Sequence, residues 1–264
     1  MENYKKLIGS ITIITFSYAA SRLLGFFREI LLANWAGVSE ATDTLDLAFI
    51  IPDFLFYLSA GGYLAITLIP IMSEKKKSEL NNYFLSILYG MSLIFVIFSL
   101  ITYSFRFQFA ELLGVTSLDF FVEVFTPIIF SQVFFFVGAI LMSYQYFHDN
   151  FKYAAIAPVV YNSTIIFFGW INSSTPEGTI KGFAIGTLIG SVLGHFLIQI
   201  YGAKRSGLSF YLISPKFVHI KNYITISLPL ILGQSIAVID EQLFRIFGSF
   251  LAAGSIATFR YARR

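Results

Sequence analysis

Seven stretches of this chain are apolar over about 20 residues or more, the length an α-helix needs to cross the hydrocarbon of a bilayer. They run roughly over 7–36, 45–71, 83–105, 120–147, 153–171, 180–203 and 223–253, and an eighth begins near Ser255. In lipid every backbone amide must find its partner within the protein, so such a chain is confined to spanning helices. The fold class implied is an all-α polytopic membrane protein. Composition agrees, because 56% of the 264 residues are hydrophobic and 12% are charged, against roughly 25% charged in soluble domains. The first run is too long for a secretory leader and no small-residue cleavage site follows it, so it reads as a retained span.

Basic residues alternate between the connectors. Lys5, Lys6, Lys75, Lys76, Lys77, Lys152, Lys204, Arg205, Lys216 and Lys221 fall on one side, whereas the opposite connectors hold Arg106 and Lys181 beside Glu40, Glu111, Asp119 and Glu177. The positive-inside rule therefore places the N-terminus in the cytoplasm of a multi-pass protein of the cell membrane. The net charge of +3 is too small to suggest nucleic acid as a partner. The chain has no cysteine, which excludes disulfides, thiolate metal sites and cysteine nucleophiles. His148, His195 and His219 are scattered with no nearby carboxylate pattern, and no phosphate loop or nucleophile elbow is present. Neither an enzyme, a metal nor a cofactor is implied.

A shift of 216 residues lays "AGVSEAT" at 36–42 on "AAGSIAT" at 252–258, identical at Ala36, Ser39, Ala41 and Thr42 of the first copy. Both copies join one long span to the next, six spans apart, so the two hairpins share an orientation and form a parallel repeat. Transporters are often built from such repeats, with the substrate path between the halves. The expected domains are a six-span lobe over 1–215 and, over 216–264, the seventh span with the start of the eighth. The chain thus reads as a fragment of a longer protein that stops just inside its second lobe.

Charges inside the apolar runs carry the functional argument. In "SRLLGFFREILLA" Arg22, Arg28 and Glu29 fall within eight residues, although one charge at the bilayer centre costs about 2.5–3.5 kcal/mol on insertion scales. At about 100° per residue, Arg22 and Glu29 share a face two turns apart. Ser21, Gly25 and Arg28 form the neighbouring face, where Gly25 offers a place to bend. In the second span Asp43, Asp46 and Asp53 fall within an arc of about 80°, and Pro52 predicts a kink beside Asp53. A short turn joins the two spans, so a basic face and an acidic stripe are expected to line one chamber; the same charges would also serve merely to hold the helices together. The seventh span adds Asp240, Glu241 and Arg245, of which Glu241 and Arg245 are spaced to pair along one helix. Gly182, Gly186, Gly190 and Gly194 recur every four residues of the sixth span, a pattern for close helix packing. Pro127, Pro158 and Pro229 predict kinks in other spans.

The stretch "SRLLGFFREILLANWAGVSEATDTLDLAFIIPDFLF" resembles the start of the MurJ (MviN) family of lipid II flippases, within the multidrug/oligosaccharidyl-lipid/polysaccharide exporter superfamily. The resemblance rests on Ser21, Arg22, Gly25, Arg28 and Glu29, then Ala41-Thr42-Asp43 and Pro52. It continues through Ala157, Pro158 and Asn162 of "AAIAPVVYN" and through "LPLILGQSI" and "SFLAAGS". It implies fourteen spans in two six-helix lobes plus a terminal pair, of which this chain holds the N-terminal lobe and the first span of the second. It also implies a central cavity whose cations hold the diphosphate of a lipid-linked oligosaccharide, with membrane lipids around it. Arg22, Arg28, Arg264 and Ser21 match substrate-binding positions; Asp43 and Glu29 match gate or coupling positions, to which the stripe residues Asp46 and Asp53 are added. A coupling cation is a further partner by analogy. Several residues depart from the family pattern. Phe56, Tyr57 and Ala60-Gly61-Gly62 stand where a basic pair and Ala-Glu-Gly are usual; Asp46, Ile50 and Asp53 replace apolar, basic and Asn positions; Arg263 replaces an Asp. The function implied is a flippase for lipid II or a related polyprenyl-diphosphate sugar. A cation-coupled drug antiporter of the same superfamily and a non-transporting membrane scaffold remain alternatives.

Overall fold

The structure is a computed structural model that describes the backbone of residues 2–59 and 63–263 and the side chains of 12, 15–17, 19–54, 67–229, 239–240 and 242–262. All the regular secondary structure among these residues is helical, in the order α1 (Glu2–Trp35), α2 (Glu40–Ala48), α3 (Ile50–Ser59), α4 (Tyr63–Ser73), α5 (Lys77–Ser104) and α6 (Arg106–Leu112). There follow α7 (Leu118–Phe147), α8 (Lys152–Ile171), α9 (Pro176–Gly190), α10 (Ile198–Arg205), α11 (Phe217–Gly248) and α12 (Ser255–Arg263). A π-helical segment, Ser191–Leu197, joins α9 to α10. Four continuous helical stretches are long and apolar enough to cross a membrane: Lys77–Ser104, Leu118–Phe147, Lys152–Ile171 and Pro176–Arg205. The helices α1 and α11 are longer still, at 34 and 32 residues, about 50 Å each at 1.5 Å per residue.

Two of the expected spans are interrupted, each for a local reason. The second divides into α2 and α3 around Phe49, three residues before Pro52, whose ring nitrogen has no hydrogen to donate to the preceding turn. The Phe49 amide instead bonds the Leu45 and Asp46 carbonyls at 3.2 and 3.3 Å. The sixth widens into the π-helical segment, where the His195 backbone lies directly over Gly138 of α7. A methyl group at Gly138 would collide with that carbonyl, so a glycine is needed for the approach. Gly25, by contrast, lies within an unbroken α1.

The glycine repeat does pack a helix. A Cβ added at Gly182 would strike the Phe168 carbonyl; at Gly186 it would lie 2.7 Å from Ile165 Cα, at Gly190 3.0 Å from the Tyr161 carbonyl, and at Gly194 2.7 Å from the Ala157 carbonyl. Each step of four along α9 and its continuation meets the next turn of α8, so the backbones touch without side chains between them. Thr175 caps the start of α9, accepting the Gly178 amide at 3.0 Å, and Pro176 occupies the first turn where its missing donor is not needed.

Packed side chains form two cores. One gathers Met72, Phe84, Leu88, Phe136, Ile140 and Tyr223. The other gathers Leu32, Leu45, Phe121, Phe125, Ile165, Phe183 and Ile256. Lipid-compatible side chains cover the outside, as on α5, where Leu93, Ile97, Leu100 and Ile101 are exposed. The second core has a further role, because Leu32, Leu45, Ile165 and Phe183 also form the apolar walls of a polar cavity.

Candidate functional site

The cavity has a volume of about 290 Å³, and its polar lining comes from α1, α2, α3, α8, α9, α11 and α12. Arg28 and Glu29 enter from α1, Asp46 from α2, Asp53 from α3, Tyr161 from α8, Thr187 from α9, Arg245 from α11 and Arg260 from α12. Three guanidinium groups and three carboxylates therefore share one space, with apolar walls that keep the local dielectric below that of water.

Each arginine is already engaged. Arg28 donates to Glu29 Oε1 at 2.9 Å and to Asn162 Oδ1 at 3.0 Å. Arg245 donates to Asp53 Oδ2 at 2.7 Å. Arg260 donates through Nη1 to Asp46 Oδ1 at 2.8 Å, and its Nε lies 3.7 Å from Glu29 Oε2. The Asp46 and Arg260 side chains are only 6% and 13% exposed. That degree of burial would be costly for either charge alone, and breaking such a pair typically costs about 3–5 kcal/mol. Satisfaction is nevertheless incomplete: Arg260 Nε and Nη2 and Asp46 Oδ2 are buried without a hydrogen-bond partner among the described residues. A guanidinium offers five donors in a planar fork, so Arg260 retains capacity for another anion.

Beyond one end of the cavity, the two copies of the sequence repeat meet. Gly37 and Gly254 both adopt positive φ, 63° and 85°, and the Thr42 and Thr258 hydroxyls each donate to the carbonyl of their own glycine at 3.0 and 2.8 Å. Ser39 caps α2, and α12 starts at the matching Ser255. Gly254 packs so closely on Val38 that a Cβ there would lie 2.6 Å from Val38 Cγ1. Asp43 spans the seam, accepting the Gly254 amide on Oδ2 at 2.6 Å and the Ala257 amide on Oδ1 at 2.7 Å. A carboxylate from α2 thereby caps the first turn of α12, where the unpaired amides and the helix dipole favour a negative charge. The Tyr261 hydroxyl adds a 3.3 Å bond to the Gly37 carbonyl.

Against the sequence expectations, Arg28, Glu29, Asp46 and Asp53 do converge on one chamber. Asp43 belongs to the seam instead, although it lies only three residues before Asp46. Arg22 sits on an exposed face of α1 outside the cavity lining. Ser21 lines a different, mostly apolar groove of about 310 Å³ with Ser17, Met142, Tyr146 and Pro158. Arg264 and the side chain of Glu241 lie outside the described residues, so the expected Glu241–Arg245 pair does too. Two cavity cations were not foreseen as such: the sequence argument gave Arg245 only a place beside Glu241, and gave Arg260 none. Their position as charges inside spans was the signal available for them.

The fold and site define an all-α, polytopic membrane protein with a charged chamber between its helices. Comparison with known proteins gives the particular family. The profile of the family described as lipid II flippase MurJ matches residues 32–264, and the chain belongs to that family. It is 32% identical over 194 residues to the "Lipid II flippase MurJ" of Thermosipho africanus, an alignment covering 70% of this chain and 40% of that protein. It is 30% identical over 283 aligned positions to the "Probable lipid II flippase MurJ" of Buchnera aphidicola subsp. Baizongia pistaciae, covering 99% and 52%. A solved structure, "Lipid II flippase MurJ, inward closed conformation", superposes with a TM-score of 0.79 at 26% identity over 96% of this chain and 54% of that one. The chain thus spans about half the length of the curated relatives it matches.

Proposed function

We propose that this chain is the N-terminal part of a flippase that moves a polyprenyl-diphosphate-linked sugar, lipid II or a related lipid-linked oligosaccharide, across the cytoplasmic membrane by alternating access. Residues 1–215 form the first lobe and 216–264 begin the second; the N-terminus is cytoplasmic. One observation carries the proposal most of the way: Arg28, Arg245 and Arg260, from three helices, all line a single cavity. Guanidinium groups bind phosphate oxygens in fork geometry, and a chamber with apolar walls strengthens that attraction. The names of the relatives point to the same cargo.

In this mechanism the diphosphate enters the chamber and is held by Arg28 together with the second-lobe arginines, while the sugar follows it and the lipid tail stays in the bilayer. Asp43 acts as a gate. Its two bonds to α12 join the lobes at the end marked by the sparsely basic connectors, which is the outer end if the N-terminus is cytoplasmic. Opening outward requires those bonds to break, and closing the outer end requires them to form. Glu29, beside Arg28 and within reach of Arg260, is placed to answer a coupling cation or a change in membrane potential.

The test is charge reversal in the protein at its natural full length, reconstituted into vesicles. Arg28→Glu should abolish translocation of a labelled polyprenyl-diphosphate sugar while leaving protein level and insertion unchanged. Translocation at the parental rate would remove Arg28 from the anion clamp.

A further inference from the structure

Among the described residues, the three guanidinium groups of the cavity face three carboxylates before any cargo arrives. Asp46 and Asp53 come from α2 and α3, whereas their partners Arg260 and Arg245 come from α12 and α11. Both pairs therefore bridge the helices of the first lobe to those that begin the second.

We infer that Asp46 and Asp53 are internal stand-ins for the anionic head of the cargo, holding Arg260 and Arg245 in its absence and setting how much negative charge a cargo must carry to be accepted. The inference rests on the flippase reading and deepens it. A carboxylate offers one negative charge and two acceptor oxygens; a diphosphate offers more of both. Arg260 is the receptive member, since its Nε and Nη2 are buried and donate no hydrogen bond to any described residue. An incoming phosphate first fills those donors and then displaces Asp46 from Nη1. Releasing Arg245 from Asp53 needs a second charge. A head with two or more negative charges can therefore dissolve both bridges, whereas a singly charged phosphodiester can replace only one. The selection is an ion-pair exchange in which the separation of the lobes depends on the charge of what enters.

The sequence contains no cysteine, which suggests the readout. Ala257 is fully buried in the seam next to the Asp43 bonds, so Ala257→Cys, in an otherwise cysteine-free full-length protein, reports opening through its reaction with a membrane-impermeant maleimide. Short-chain polyprenyl diphosphate should raise the labelling rate by about fivefold or more, and a singly charged methyl phosphodiester of the same polyprenol should leave it nearly unchanged. In Asp46→Asn/Asp53→Asn the rate should be raised without ligand, and the two lipids should act alike. Asp46→Glu, which keeps the carboxylate, should restore the discrimination; Asp46→Asn alone serves if the double variant does not accumulate. If the parent responds to diphosphate and the aspartate variants still discriminate, the stand-in role is overturned while the flippase reading survives. If neither lipid changes labelling in any variant, the flippase reading falls and this inference with it.

Discussion

At the scale of single residues, the molecule puts similar side chains to different uses. Asp43 and Asp46 lie three apart on α2, yet one caps a helix and the other holds a guanidinium. Removing the cap with Asp43→Ala should cost about 1–2 kcal/mol of seam closure and so raise labelling at Ala257→Cys by roughly 5–30-fold; an unchanged rate would mean that the two amide bonds contribute nothing to closure. Sequence alone located the charges but not their partners. The bond from Asp43 joins residues 211 positions apart and that from Arg260 joins residues 214 apart, and no spacing rule reaches across such distances. Local spacing offered Arg245 a partner on its own helix, Glu241, whose side chain lies outside the described residues; the bond to Asp53 of α3, 192 positions away, was beyond any spacing rule.

At the scale of elements, most of the fold was legible, since long apolar runs and helix-breaking residues act locally. The runs became helices, the second run broke just before Pro52, and a helix begins at Ser255. The helix is not interrupted at Gly25, because a lone glycine permits a break without requiring one. The two glycine environments give opposite predictions. Gly186→Ala drives a methyl group to 2.7 Å from Ile165 Cα in the α8–α9 contact and should destabilise the protein by about 1–3 kcal/mol. At Gly25 an added Cβ meets nothing within 4 Å, so Gly25→Ala should raise stability by about 0.5–1 kcal/mol. Thermal unfolding in detergent of both variants checks the pair, and a shared sign would contradict it. The π-helical segment left no trace in the sequence argument, because the signal for it is the fit of Gly138 beneath His195, a contact between different helices.

At the scale of the whole molecule, orientation and seam depend on each other. With a cytoplasmic N-terminus, a cysteine at exposed Ser174 should react with impermeant maleimide on intact cells, and one at exposed Ser78 only after permeabilisation; the reverse result would invert the membrane topology and move the Asp43 seam to the cytoplasmic end. The repeat has a meaning that the sequence argument did not give it, since its two small corners face each other across Gly254 and Val38. The 211-residue separation between Asp43 and the Gly254 amide also has a consequence in time. A ribosome adding about 5–20 residues per second takes roughly 10–40 s to travel from the carboxylate to the amide that donates to it. Throughout that interval the nascent chain carries an acid whose counterpart has not yet been made, so its first hairpin must remain in touch with water until the start of α12 arrives.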